Sequence, residues 1–511
     1  MLSIQWMFAL AFTAWACLFT TATATPEAER ACRWISGFLP EYVDFPNSTQ
    51  YEVSRNSYFT QQQRALHPAC YVRPENAIEV AGIMKTLTAT NATFNVKSGG
   101  FSRFAGASSI DGGVLVDLAR MNKVQFLPTG GTMMAGPAAK FYGIYRRFDD
   151  KKMAGIGPKN GDLSVAGYFL GCGFSFYPQH SGFACDDVWN YEVVTAKGEI
   201  IRASSEENQE LFFALRGGGG SSFGIVTRFD FVRFFNIKTW WQHLMFPVSM
   251  NLELMKAYAN AAKKVLGKDL YSHTFLMTFF SEDHQEYVTE VHLVHSGKDT
   301  SHDRNAPRLA KPFKSLTGAL QNITEANGVA NLTQTFIEPA GLRRSAWSTS
   351  FGFDKPEFLA DILSRWQAMD EKLKSLPGQK NFRSEIELQP VSKRMIWNAR
   401  HKGDNALGLP IAMVPMTYVL LSVQWDNPAF DDIVEAESKR FIDGIEETGR
   451  QNAQLRGVIH MNYAHPSQDY WARLNPKSYD RLRIAARNWD PDSVLNRLWR
   501  GYFKFDHEVG G

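Results

Sequence analysis

Four glycine-dense stretches in the first half of the chain constrain its fold more than any other feature. They read KSGGFSRFAG, GIGPKNG, GYFLGCGFSF and RGGGGSSFGIV. Because glycine lacks a Cβ, such segments let backbone N–H groups approach a ligand closely, and successive N–H groups form nests that bind anions. Each stretch alone is accounted for as a turn between strands. Together they favour a cradle for a phosphate-bearing cofactor.

Several common site motifs are absent from the sequence. No G-x-x-x-x-G-K-[ST] is present, which excludes a P-loop. None of the four glycine stretches is a G-x-G-x-x-G that opens a helix, so a Rossmann site is unsupported. The chain has no C-x-x-C pair, no His/Asp/Glu spacing typical of a metal site and no G-x-S-x-G elbow. We therefore predict no bound metal and no serine-hydrolase chemistry.

The elements predicted along the chain change character twice. From Cys70 to about Phe235, short β-branched strands alternate with glycine turns and with helices at Ala77 to Thr88 and Glu207 to Leu215. From Trp240 to about Gln454, longer amphipathic helices alternate with strand-like segments such as HTFLMTFF, RSEIELQPV and MTYVLLSVQW. The tail from Gly457 returns to mixed character. The pattern indicates an α+β protein with two domains.

Length and charge limit the classes of protein that the chain can represent. Its 511 residues suit two folding units with substantial cores. The formal net charge is +3 with no long run of Lys or Arg, which argues against a nucleic-acid or membrane-surface role. Aromatic residues make up 13% of the chain, which fits either large cores or an aromatic-lined pocket.

The N-terminus has the pattern of a secretory signal peptide. An apolar stretch runs from Ile4 to Phe19, and Ala22-Thr23-Ala24 fits the small-x-small cleavage rule. A membrane anchor is the alternative, but the stretch is shorter than the ~20 apolar residues that a span needs. Four N-x-S/T sequons, at Asn47, Asn91, Asn322 and Asn331, also favour the secretory pathway.

Cysteine usage agrees with an oxidising compartment. Cys17 leaves with the signal peptide, and Cys32, Cys70, Cys172 and Cys185 remain. Four cysteines allow three pairings. We expect Cys32 to pair with Cys70, which would tie the mature N-terminus to the first domain.

Together the glycine stretches and their surroundings resemble the berberine bridge enzyme-like oxidases, members of the vanillyl-alcohol oxidase superfamily. The resemblance covers nearly the whole mature chain and rests on PACYVRPENAIEVAGIM, KSGGFSRFAGASSIDGGVLVDLARMNKV, GYFLGCGFSFYPQHSGFACDDVWNYEVVTAKGEIIRAS, NQELFFALRGGGGSSFGIVTRF and HMNYAHPS. It implies an α+β fold with a two-subdomain PCMH-type FAD-binding domain and a substrate domain. In the substrate domain an antiparallel sheet backed by helices would roof the flavin.

This resemblance also implies domain boundaries. Residues 1–24 would be the signal peptide, 25–237 the FAD-binding domain with its core at about 66–237, and 238–455 the substrate domain. Residues 456–511 would return to complete the FAD-binding domain, where the character of the chain changes near Gly457.

Cofactor contacts follow residue by residue from the same resemblance. Ser98, Gly99, Gly100, Phe101 and Ser102 would wrap the FAD pyrophosphate, and Asn462 and Tyr463 would lie against the isoalloxazine. The remaining contacts would come from glycines that let the chain pass close to the cofactor and from two residues at its adenine end: Gly157, Gly161, Gly167, Gly171, Gly173, Ile225 and Val226.

Two departures concern the covalent tethers of the family. Members commonly carry a flavin-linked histidine where this chain has Phe101, and many carry a linking cysteine where it has Gly157. We therefore expect non-covalent FAD, with Phe101 packed on the benzenoid edge of the flavin or filling the cavity of an absent cofactor. Cys172 replaces a usual glycine, either as a buried or disulfide-bonded residue or as a replacement tether.

Catalytic residues are the least determined part of the interpretation. Tyr463 is the first candidate for acid/base chemistry and Tyr418 the second, although a tyrosine pKa of ~10 would need lowering. Alternation along a strand puts Glu385, Glu387 and Gln389 on one face, which is either a catalytic face or simply the solvated side of a half-buried strand.

The resemblance implies an FAD-linked oxidoreductase that dehydrogenates a bulky small molecule, in the manner of fungal secondary-metabolite oxidases, with O2 reoxidising the flavin. A redox-neutral isomerase or cyclase using the same pocket is the alternative. A binding protein with a decayed flavin site is disfavoured by the intact glycine loops and the retained Asn462-Tyr463 pair.

Overall fold

The computed structural model describes residues 24–128, 131–235, 239–296 and 307–505. The predicted signal peptide lies outside the described residues, apart from Ala24. In the part of the chain that is described, none of the helices combines the length and the apolar character that crossing a membrane requires.

The first sheet has four strands in the order β1-β2-β4-β3, of which β2, β4 and β3 run parallel. The strands are β1 (Val43–Asp44), β2 (Cys70–Val72), β3 (Phe94–Lys97) and β4 (Val114–Asp117). The helices around them are α1 (Pro26–Phe38), α2 (Thr49–Asn56), α3 (Gln61–Arg64) and α4 (Ala77–Thr90). Helix α4 begins where Asn76 accepts a hydrogen bond from the Glu79 amide and ends at Asn91 in the left-handed conformation.

The second sheet is antiparallel, with the order β5-β6-β10-β8-β9 and with β7 paired to β10. Its strands are β5 (Val124–Phe126), β6 (Thr132–Ala135), β7 (Met153–Gly155), β8 (Val188–Val194), β9 (Ile200–Ser204) and β10 (Ile225–Phe235). The associated helices are α5 (Phe141–Asp150), α6 (Val165–Leu170), α7 (Pro178–Ser181) and α8 (Gln209–Leu215). A core rich in aromatic side chains lies between this sheet and its helices. Phe141, Phe169 and Phe229 are fully buried in it.

The third sheet has seven strands, all antiparallel, in the order β14-β11-β13-β12-β16-β17-β15. The strands are β11 (Thr239–Pro247), β12 (Ser272–Ser281), β13 (Glu286–His295), β14 (Gln321–Asn327), β15 (Arg343–Gly352), β16 (Arg383–Val391) and β17 (Met416–Trp425). The helices of this region are α9 (Asn251–Ala261), α10 (Val329–Leu332), α11 (Pro356–Lys374), α12 (Lys393–His401) and α13 (Asp431–Gln451). Apolar side chains of α9, α11 and α13, among them Leu254, Trp366 and Ile442, pack on one face of the sheet. The predicted α+β class and the helix-backed antiparallel sheet are confirmed.

The tail returns to the first domain through α14 (Pro476–Trp489) and α15 (Val494–Leu498). Beyond α15, Trp499 bridges to Phe94 of β3, and the Arg500 amide donates to the Phe94 carbonyl at 2.7 Å. The first two sheets therefore lie within residues 25–237 and the third within 238–455, while the exact domain boundaries stay a prediction.

Two disulfides connect the four described cysteines. Cys32 of α1 pairs with Cys70 of β2, so the predicted bond is confirmed. The second joins Cys172 and Cys185. Because the Cys172 sulfur is in this bond, the alternative in which it tethers a flavin is wrong for this structure.

Candidate active site

One cavity lies between the two glycine-rich sheets and the uncovered face of the seven-stranded sheet. Its floor is built from the loop after β3, the segment around α6 and the start of β10, and the tail motif closes one side. Residues of β12 and β16 form the roof. The predicted cofactor residues that line it are Ser98, Gly99, Gly100, Phe101, Ser102, Gly167, Gly171, Gly173, Ile225, Val226, Asn462 and Tyr463.

The loop after β3 is held in place by a buried ion pair at its root. Lys97 Nζ lies 2.9 Å from Asp117 Oδ2, and these residues end the paired parallel strands β3 and β4. Beyond this pair, Ser98 Oγ donates to the Pro137 carbonyl at 2.7 Å, and Gly100 turns the chain with φ +65°. The loop is thus held both by side-chain contacts and by the backbone turn at Gly100.

Close approach of chain segments explains two of the glycines in the cavity wall. A Cβ on Gly99 would overlap the Ser164 hydroxyl just before α6, and a Cβ on Gly171 would overlap the Asn462 side chain of the tail. Gly167 differs, because a Cβ there would meet nothing within 4 Å. The first two glycines let three distant segments close around one space, and their backbone groups can approach a pyrophosphate there.

Three predicted cofactor contacts are not supported by the cavity. Gly157, Gly161 and Cys172 do not line it. A Cβ on Gly157 would overlap Tyr145, and one on Gly161 would press on Thr333, so these glycines serve chain packing. Cys172 is fully buried in its disulfide with Cys185.

Phe101 occupies the position of the missing histidine as part of an ordered stack. Its ring lies 4.2 Å from that of Phe59 at an interplanar angle of 16°. The Arg344 guanidinium lies 4.3 Å from the centroid of the same Phe59 ring. A packed ring therefore fills this place, and Phe59 and Phe101 both face the cavity.

The acidic face of β16 lines the cavity roof and is not exposed to bulk solvent. Glu385, Glu387 and Gln389 all line the cavity, and Glu387 and Gln389 are only 5% and 3% exposed. That alternative from the sequence is therefore wrong. Lys159, which follows β7, reaches across the cavity and places its Nζ 2.5 Å from Glu387 Oε2.

Two carboxyl groups that line the cavity, those of Glu385 and Glu338, differ in their electrostatic surroundings. Burial raises the pKa of the Glu385 carboxyl. Burial also disfavours the charged form of Glu338, but the guanidinium groups of Arg103 and Arg344 outweigh it and lower the pKa of that carboxyl. Glu385 is therefore the carboxyl whose pKa moves toward neutrality, as a proton-exchanging group requires.

The two candidate tyrosines do not have the properties of a general base. Tyr463 lines the cavity, yet burial raises its pKa, so its hydroxyl stays protonated and can donate a hydrogen bond. Tyr418 lies on β17, packed against Phe174 and His460, and is not among the cavity residues. Tyr418 as a second acid/base stays a prediction, and its place outside the cavity lining does not favour it.

Among the polar cavity residues that sequence reasoning missed are Arg103, Lys159, His273 and Glu338. Lys159 stands inside the quoted GIGPKNG stretch. His273 and Phe275 alternate along β12, so a face assignment for HTFLMTFF would have found them. Glu338 lies in the irregular segment before β15, where no periodic pattern marks it.

The structure brings together three side chains of types that bind metal ions, although no sequence motif predicted them. His243 of β11 and Glu290 and His292 of β13 bring their ligand atoms within 4.8 Å of one another. Trp241 Nε1, however, donates to His292 Nδ1 at 3.2 Å. This bond places the proton of neutral His292 on Nε2, where it donates to Glu290, and so disfavours a metal ligand at that nitrogen.

Comparisons with known proteins indicate an FAD-binding domain and FAD-dependent relatives. Residues 68–204 match the family described as FAD binding domain. An FAD-dependent monooxygenase of Cochliobolus heterostrophus is 26% identical, with 93% of this chain and 94% of that protein covered.

Two solved structures share the fold at low identity. The BBE-like 1 protein of Physcomitrella patens is 16% identical with a TM-score of 0.72, covering 93% of this chain and 100% of that one. The glucooligosaccharide oxidase of Acremonium strictum, a structure with 6-S-cysteinyl, 8α-N1-histidyl FAD, is 16% identical with a TM-score of 0.74, covering 94% and 99%. The chain is an FAD-dependent oxidoreductase with the fold of the berberine bridge enzyme-like oxidases, and its FAD-binding domain indicates FAD as the cofactor.

Replacing Gly99 by Asp should abolish FAD binding. The new side chain would overlap Ser164 and place a carboxylate where the loop approaches the pyrophosphate, adding like-charge repulsion. Flavin occupancy is measured from the visible spectrum of the purified protein, and folding from its far-UV circular dichroism. Gly167→Ala is the matched control, since it also lines the cavity but meets no neighbour, and it should keep its flavin. Full flavin occupancy in Gly99→Asp would contradict the placement of the cofactor in this loop.

Proposed function

We propose that the enzyme is an oxidase that dehydrogenates a bulky, partly apolar small molecule and uses O2 to reoxidise its FAD. The observation that carries this proposal is that two walls of different chemistry face each other across one cavity. On the floor, the absence of side chains at Gly99 and Gly171 lets the backbone come close to a ligand. On the roof, the polar side chains of Glu385, Glu387 and Gln389 line the cavity. When bound, FAD supplies a two-electron acceptor for hydride.

Residues of the roof and the tail supply the remaining requirements. Glu385, whose pKa burial raises, can take up and release a proton near the substrate. Tyr463 donates a hydrogen bond from its protonated hydroxyl. Aromatic rings of Phe104, Phe275 and Tyr502 supply apolar surface for a bulky substrate and exclude water.

Oxidase function is testable before any substrate is known. The purified enzyme is reduced with dithionite without oxygen and then mixed with aerated buffer in a stopped-flow instrument. We expect reoxidation faster than that of free reduced FAD under the same conditions, with one hydrogen peroxide formed per flavin. Reoxidation no faster than that of free FAD would contradict an oxidase, and would favour the redox-neutral isomerase or cyclase in the same pocket.

Non-covalent attachment of FAD is the second part of the proposal. In the glucooligosaccharide oxidase structure, the 6-S-cysteinyl, 8α-N1-histidyl FAD is by its name linked through a cysteine and a histidine. Here Phe101 and Gly157 stand at the tether positions implied by the resemblance, and Cys172 is in a disulfide. None of the three offers a free nucleophilic atom to the flavin.

Phe101→His should create a partly covalent flavoprotein. The substitution supplies a ring nitrogen at the position where relatives attach the flavin, and misplacement by ~1 Å can cost ~100-fold in rate, so only a fraction should react. The protein is precipitated with acid, and flavin is measured in pellet and supernatant. Wild type should release all its flavin, and so should the control Phe104→His, a cavity phenylalanine on the same loop. Flavin retained in the wild-type pellet would contradict non-covalent binding.

We also propose that the protein enters the secretory pathway. Two disulfides require an oxidising compartment, and the asparagines of all four sequons are exposed: Asn47, Asn91, Asn322 and Asn331.

Expression of the full chain in a fungal host should therefore yield N-glycosylated protein in the medium. Treatment with an N-glycosidase should lower its mass, and the variant with all four asparagines changed to Gln should show no such shift. Full-length protein that stays inside the cell without glycans would overturn the proposal.

A further inference from the structure

A chain of directed hydrogen bonds runs across the roof of the cavity and ends at His273. Lys159 Nζ donates to Glu387 Oε2 at 2.5 Å, and Gln389 Nε2 donates to Glu387 Oε1. The amide nitrogen of Gln389 therefore faces Glu387, and its oxygen faces the other way. Gln389 Oε1 lies 3.2 Å from His273 Nε2.

This order of donors fixes the tautomer of His273. An amide oxygen can only accept a hydrogen bond, so His273 Nε2 must carry the proton that it receives. In the neutral ring Nδ1 is then an acceptor with a free lone pair. Burial lowers the pKa of His273 to about 4, so the ring is neutral at physiological pH.

Nδ1 of His273 is buried and has no partner among the described residues. His273 is only 1% exposed, and it lines the cavity beside Phe275 and Gln389. Buried acceptors without a partner are rare in folded proteins, because leaving such an atom unpaired is destabilising. An unpaired acceptor on a residue that lines a substrate cavity can be satisfied by a hydrogen-bond donor of the ligand.

The surrounding charges select among possible donors. Lys159 Nζ lies 5.1 Å from the centroid of the Phe275 ring, next to His273 along the same face of β12. A neutral hydroxyl group would satisfy this acceptor without bringing a further charge beside Lys159, which is already paired with Glu387.

We propose that His273 Nδ1 accepts a hydrogen bond from a hydroxyl group of the substrate, so that the enzyme selects hydroxylated molecules over their O-methylated analogues. The inference rests on the proposed function, since it assigns a specificity residue to the same cavity. Gln389 and Glu387 act through His273 as positioning residues.

Phenol and anisole are the probes, because they differ in the one hydrogen-bond donor. Each is titrated into the FAD-loaded enzyme, and its dissociation constant is read from the perturbation of the flavin spectrum. We expect phenol to bind about tenfold more tightly, which corresponds to one hydrogen bond to a buried acceptor. His273→Phe should lower this ratio to about one, and His273→Asn, whose side-chain oxygen replaces Nδ1 as acceptor, should restore part of it.

His460→Phe is the matched control. His460 is also buried, its Nε2 lies 3.1 Å from the Cys172 carbonyl and its Nδ1 lacks a partner in the described chain, but it does not line the cavity. This variant should keep the wild-type ratio. Equal binding of the two probes by wild type, or binding of neither, overturns the inference, as does an unchanged ratio in His273→Phe.

A second readout does not depend on any ligand. In protein with ¹⁵N-labelled histidine, the NMR signals that His273→Phe removes should be those of a neutral ring protonated on Nε2. Gln389→Met should turn them into a mixture of tautomers. A ring protonated on Nδ1 would overturn the inference. Flavin content and reoxidation by O2, measured on the same samples, report separately on the proposed function.

Discussion

The ion pair between Lys159 and Glu387 is the interaction on which the site depends, because it joins the two halves of the molecule across the cavity. Lys159 follows β7 in the glycine-rich half, and Glu387 belongs to β16 of the seven-stranded sheet. Removing one partner of a buried pair leaves an uncompensated charge, at a cost of about 3–5 kcal/mol. The pair also orients Gln389, and through it the ring of His273.

The floor of the cavity depends on a different constraint, the close passage of segments far apart in sequence. Gly99 lies against Ser164, and Gly171 lies against Asn462 of the tail. These contacts leave no room for a Cβ, and so they bring backbone groups rather than side chains to the cavity wall. At Phe101 the loop carries a ring that is held by its stack on Phe59.

Much of the fold and of the cofactor floor could be predicted from the sequence. Apolar periodicity predicted the amphipathic helices α9 and α11, and the glycine stretches with their flanking strands indicated the resemblance to the family and its FAD cradle. The roof could not be predicted to the same degree. Alternation placed Glu385, Glu387 and Gln389 on one face, but no local pattern says whether that face meets water or a cavity. Tyr418 fell on β17 packed against His460, because the strand order decides which side chains reach the site.

The sequence by itself determined the class of fold, the glycine segments that can approach a cofactor and the presence of Phe101 and Gly157 where the resemblance implies flavin tethers. These depend on residue type and spacing along the chain, which are local properties. Only the tertiary structure decided that Cys172 is in a disulfide, that Lys159 meets Glu387 and that His273 Nδ1 is left without a partner. The disulfide and the ion pair join segments more than ten residues apart, and the surroundings of His273 likewise depend on strand order and packing rather than on any local sequence preference.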